Sequence, residues 1–167
     1  MNLVTALAIV IGVLGGVATW LVLGPLGDMA VPLSIWAVFV GWASFFSAGG
    51  GEGGFMSAAI CAIWGAAMAT VALLLLPLVP AGVPWVAAVV GATVAVMILG
   101  AHLPLLSAIP ASVYGYASTA AFGLLKQGAV ADSVDVATSP FLNVVASMIL
   151  GAVFGYVSEK IAKALAS

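Results

Sequence analysis

PLSIWAVFVGWASFFSAGGGEGG, residues 32 to 54, is an apolar aromatic segment that runs straight into a glycine-rich turn. From Leu33 to Ala48 a helix would reach about 24 Å at 1.5 Å per residue. That falls short of the ~30 Å of a bilayer's hydrocarbon core. Whether this is the core helix of a soluble domain or a short helix inside a membrane bundle decides the fold.

The rest of the chain answers. Of 167 residues, 65% are hydrophobic and 5% charged, and the mean hydropathy is +1.37. Soluble domains carry about a quarter charged residues, and three Lys/Arg with five Asp/Glu cannot furnish a water-facing surface. Apolar runs of membrane length recur, without the strict alternation of barrel strands. The class that follows is all-α: an integral membrane bundle, one domain over residues 1–167, with the lipid bilayer as its first partner.

Six segments can be read: Leu3 to Gly24, Leu33 to Ala48, Phe55 to Val79, Pro84 to Gly100, Ile109 to Leu125 and Phe141 to Val157. Pro25 to Pro32 forms a polar turn carrying Asp28, and Lys126 to Pro140 is the long polar connection, with Asp132 and Asp135. The first run lacks the basic n-region of a signal peptide and is read as a retained span. Lys160 and Lys163 follow the last span, which puts the C-terminus in the cytoplasm by the positive-inside rule. Six spans then put the N-terminus there too. No basic patch meets phosphates, so nucleic acid is not an expected partner. The lone Cys61 cannot form an intramolecular disulfide.

A shift of 74 residues sets Gly41 on Gly115, Ile35 on Ile109, Ala37 on Ala111, Ala43 on Ala117, Ser44 on Ser118 and Trp42 on Tyr116. Past the longer polar connection, a shift of 86 sets Phe55 on Phe141, Ile63 on Ile149, Gly65-Ala66 on Gly151-Ala152 and Val71 on Val157. Chance gives some matches in a chain this rich in Ala, Val, Leu and Gly. These keep their order, include Phe and Ser, and divide the segments evenly into halves of about 1–80 and 81–167. A unit of three spans reverses direction, so the expectation is a 3+3 inverted repeat with short or broken segments two and five, the places where such folds build binding sites.

W-A-x-F-x-G-W-x-x-F-F-x-A-G-G (Trp36 to Gly50), I-P-x-x-x-x-G (Ile109 to Gly115) and L-G-x-x-F-G-Y (Leu150 to Tyr156) resemble the YcdZ-like bacterial inner-membrane proteins. The resemblance covers nearly the whole chain and implies a small multi-pass protein of a bacterial inner membrane. It implies no substrate and no catalytic residue.

Chemistry has few carriers. General acid–base or nucleophilic work needs paired titratable groups within reach, and none are paired in sequence, so no enzyme, metal site or cofactor is expected. Gly49 to Gly54 has neither the G-K-[ST] ending of a phosphate loop nor a dinucleotide fingerprint; it reads as a turn or the cap of a broken helix. Cys61 reads as a small packing residue. The aromatics Trp36, Phe39, Trp42 and Phe46 recur at helical spacing through a segment rather than at its ends, where belt aromatics sit. They are either lipid-facing and packing bulk, or a constriction with Pro110, Tyr114 and Tyr116 as counterparts and Ser44 and Ser118 as hydrogen-bonding groups. Glu52, His102 and Asn143 are weaker candidates for a pore mouth; for the first two a solvated loop carboxylate and a water-satisfied interfacial histidine are the leading readings. Apart from His102, at the helix break after the fourth span, no Asp, Glu, His or Arg lies inside a span, which disfavours ion-driven pumping. Two functions stay open: a homo-oligomeric passive channel or facilitator for a small neutral or weakly charged solute, and a non-transporting scaffold or regulatory partner.

Overall fold

The structure, a computed structural model, describes residues 1–28 and 32–166; residues 29–31, the middle of the turn that begins at Pro25, lie outside them. Its long elements are all helices: α1 (Leu3–Leu23), a single turn α2 (Pro25–Asp28), α3 (Ile35–Ser47), α4 (Gly51–Leu75), α5 (Gly82–Leu99), α6 (Ile109–Leu125) and α7 (Pro140–Ala166). No strand occurs among the described residues. Four stretches are long and apolar enough to cross a membrane: Leu3–Gly27, Gly51–Leu78, Gly82–His102 and Pro140–Ala166. The second and fifth segments are the short ones, α3 with 13 residues and α6 with 17.

Most boundaries shift by a few residues from the sequence reading, and two of the shifts bear on the site. The third span starts at Gly51 rather than Phe55, because the turn is completed within three residues. Gly49, Gly50 and Gly51 take φ of 98°, 68° and 65° in succession, a left-handed path open to glycine at no steric cost. Helical bonding then begins with Gly54 N–H donating to the Gly50 carbonyl at 2.9 Å. The sixth span, α7, does not stop at Val157. It continues through the charged tail to Ala166, where Lys163 pairs with Glu159 one turn earlier.

Between lipid-soluble helices there is no hydrophobic driving force, so close packing and interhelical hydrogen bonds must hold the bundle. The two most extensive seams are α3 against α7 and α4 against α6. Both are closed by glycine. A Cβ on Gly41 would overlap the Met148 carbonyl, and one on Gly151 would overlap the Val38 carbonyl and crowd the Trp42 nitrogen. On the other seam a Cβ on Gly115 would overlap the Ala62 carbonyl, and one on Gly65 the Ser112 carbonyl and the Tyr116 nitrogen. Backbones therefore touch at four points, which only glycine permits. The paired helices run in the same direction, Ser34 and Trp42 bonding Ser147 and Ser158, Ala62 and Leu73 meeting Gly115 and Gly123.

The remaining long helices cover the outside. α1 packs along α7 through Ala6, Val10 and Ala162. α5 packs along α4, where the Trp64 indole donates to the Met97 carbonyl at 3.0 Å and the Trp85 indole to Leu75 at 3.3 Å.

Candidate functional site

Both short helices have lead-ins held by a neighbouring helix. The lead-in to α3 is clamped by α7: Ser34 N–H donates to Ser147 Oγ at 2.9 Å, and Ser34 Oγ to Asn143 Oδ1 at 2.6 Å. The Asn143 amide nitrogen donates to the carbonyls of Pro32 and Val136. Asn143 is fully buried, with both ends of its amide used by protein partners. It ties together the entry of α3, the polar connection and α7. The lead-in to α6 consists of two 3-10 turns, Gly100–His102 and Pro104–Leu106. It lies beside the middle of α4, with the Cys61 thiol 3.6 Å from the Leu105 carbonyl and Gly100 against the Trp64 indole. Cys61 is a buried packing residue there, and His102 is exposed.

The centre is sealed. Ser44, Trp42, Tyr116 and Ser118 are all buried, and the gap bounded by Gly41, Ser44, Ala58, Ala59, Ala62, Met148 and Ala152 has no room for a water molecule. Trp42 stacks between Phe39 and Phe154, at centroid distances of 6.0 and 5.5 Å, and its indole donates to Ser158 Oγ at 3.1 Å. Tyr116 shares a hydrogen bond of 2.9 Å with Thr93 of α5. Tyr114 is half-buried against the cluster of Ala37, Ala62, Phe122, Val144 and Met148.

The other sequence candidates face outward. Trp36, Phe39 and Phe46 are 42%, 43% and 36% exposed, and Pro110 is exposed in the first turn of α6. Trp36 and Ser34 border an open groove of about 480 Å³ shared with Ala121, Phe122, Leu125 and Lys126. Glu52 is exposed at the start of α4, where Tyr156 Oη donates to its Oε1 at 3.3 Å. The candidates thus fall into a buried central set, an outer aromatic set, and groups at the ends.

Two hydroxyls escaped the sequence reading. Ser112 and Thr119 are buried on α6 and, like Ser44, have no hydrogen-bond partner. Two helical turns apart, they share the face that carries Gly115, a spacing that sequence displays but that single Ser and Thr residues in apolar helices do not advertise. Glu159 was also hidden, in what reads as a tail: it accepts from Gly51 N–H at 2.7 Å, and its carboxylate would crowd any side chain at Gly50. The glycine turn thus holds an anion from its own chain at the N-terminus of α4, where the helix dipole favours one.

The fold and these seams define a helical membrane protein with several membrane-length apolar helices. Over residues 8–163 the chain matches the family described as "Protein of unknown function (DUF1097)", and it belongs to that family. No curated protein and no solved structure matches it.

Proposed function

We propose that the protein is a passive facilitator for a small neutral or weakly charged solute, built as a 3+3 inverted repeat and held closed in this conformation. One observation carries the reading: the same contact is made twice. Gly41 lies under Met148 and Gly115 under Ala62; the shift of 74 that takes Gly41 to Gly115 belongs with the shift of 86 that takes Ala62 to Met148. Likewise Gly151 lies under Val38 and Trp42, and Gly65 under Ser112 and Tyr116, again related by 86 and 74. Two short helices with interrupted lead-ins at matching places are the architecture in which transporters form a site between their halves. Ser44, Ser112 and Thr119 supply polar groups along the same seams, and a buried hydroxyl without a partner calls for an explanation. In the facilitator these hydroxyls meet solute when the seams part, with Trp42 and Tyr116 selecting by shape. The working form is a homo-oligomer in a bacterial inner membrane with both termini cytoplasmic. That placement rests on the resemblance to YcdZ-like proteins and on Lys160 and Lys163.

The sealed centre beside Ser44 favours a second reading, a non-transporting scaffold or regulatory membrane partner. Stopped-flow light scattering on proteoliposomes separates the two. For a panel of water, urea, glycerol and short amides, the facilitator gives at least one solute faster entry than protein-free vesicles. Entry at the protein-free rate for every solute overturns it.

A further inference from the structure

At the glycine-turn end, α4 and α7 splay into a cleft of about 440 Å³ lined by Glu52, Phe55, Met56, Val153 and Tyr156. Its wall is apolar and opens sideways: Met56 is 56% and Val153 42% exposed. Its rim carries two opposite charges held by one ring. Tyr156 Oη donates to Glu52 Oε1 at 3.3 Å, while the Lys160 ammonium sits 4.4 Å from the centroid of the same ring. Glu159 and Lys163 next to them are occupied with each other and with Gly51, so the nearest opposite charge that Glu52 and Lys160 have is each other across the Tyr156 ring.

We propose that this cleft binds an aminophospholipid of the phosphatidylethanolamine class. The headgroup ammonium bonds Glu52, the phosphate pairs with Lys160, and an acyl chain lies over Phe55, Met56 and Val153. The arrangement selects among headgroups. Glu52 repels a purely anionic headgroup, and a choline headgroup keeps the charge but has no N–H to donate to the carboxylate, forfeiting a charge-assisted hydrogen bond. An apolar wall continuing from the charged rim onto outward-facing Met56 and Val153 fits an acyl chain rather than a free solute. The site rests on the membrane setting alone and is independent of solute passage.

Native mass spectrometry of the purified full chain, titrated with phosphatidylethanolamine, phosphatidylcholine and phosphatidylglycerol of identical acyl chains, tests this. The wild type retains the ethanolamine lipid over the other two by about threefold, the scale of one exposed charge-assisted contact. Glu52→Gln abolishes the preference over choline. Lys160→Gln weakens both zwitterionic lipids, and Lys163→Gln leaves the order unchanged. Unchanged melting curves for all three variants exclude misfolding as the cause. Equal retention of the three lipids by the wild type, an unchanged preference in Glu52→Gln, or equal binding of the chain-free glycerophosphoethanolamine headgroup overturns the proposal.

Discussion

The seam between α3 and α7 and the seam between α4 and α6 share one backbone solution and differ in their polar chemistry. Each is closed by two glycines that bring carbonyls against helix backbone. On the first seam the polar groups are mostly engaged: Asn143 is held by Ser34, Pro32 and Val136, and Trp42 by Ser158. The second holds two of the three unpartnered hydroxyls, Ser112 and Thr119, and its lead-in touches α4 through the weak Cys61 thiol. Geometry that recurs while hydrogen bonding does not makes the α3·α7 seam the better tied of the two and leaves the α4·α6 seam with fewer polar ties to break.

The largest effect should come from what the seams share. A methyl group at Gly65 or Gly151 collides with backbone rather than with a yielding side chain. Gly65→Ala and Gly151→Ala should each cost about 3 kcal/mol or more, the upper end of overpacking because backbone cannot yield, with lost monodisperse material in detergent and a lower Tm. Gly12, with nothing near its missing Cβ, is the control and should tolerate alanine. Matching losses at 65 and 151 sustain the equivalence of the seams; a tolerant member breaks it.

Next is the better-tied seam. Asn143→Ala removes the group that pairs Ser34, Pro32 and Val136, and should cost about 2–3 kcal/mol, since buried donors and acceptors are left without partners. The position equivalent to Asn143 on α4 is Ser57, which is only half-buried. Ser57→Ala should change the melting temperature little, and a comparable loss there would contradict the asymmetry.

A smaller effect is expected at the paired aromatics. Trp42→Phe and Tyr116→Phe each remove one interhelical hydrogen bond. Their partners keep backbone acceptors, Ser158 at Gly155 and Thr93 at Val89. Each change should therefore cost about 0.5–1.5 kcal/mol, read by thermal denaturation in detergent, with the indole loss larger by its packing between Phe39 and Phe154.

How much of this was legible in sequence follows from what sequence records. Segment number, the short helices α3 and α6 and the matched glycines were readable because length, hydropathy and glycine placement are local properties. The sealed centre was not. Whether Ser44 faces water, a partner or nothing depends on how closely Gly41 lets Met148 approach, and that is a meeting of residues more than a hundred positions apart. Glu159 was missed for the same reason: a carboxylate in a charged tail looks solvated until the glycine turn is seen folded around it.

The smallest effect on stability should be the most telling for function. Ser112→Ala and Thr119→Val delete hydroxyls that bond to nothing, so no partner is orphaned and the cost of burying a polar group disappears. Stability should stay level or rise by up to about 1 kcal/mol. On the proposed function, hydroxyls that cost the closed state stability serve the state that passes solute. In the proteoliposome assay the same substitutions should slow solute entry while Asn143→Gln, a change in the better-tied seam, lowers stability without altering which solutes pass. If removing Ser112 and Thr119 together raises stability and leaves permeation untouched, the α4·α6 seam is packing alone, and the difference between the seams has no functional meaning.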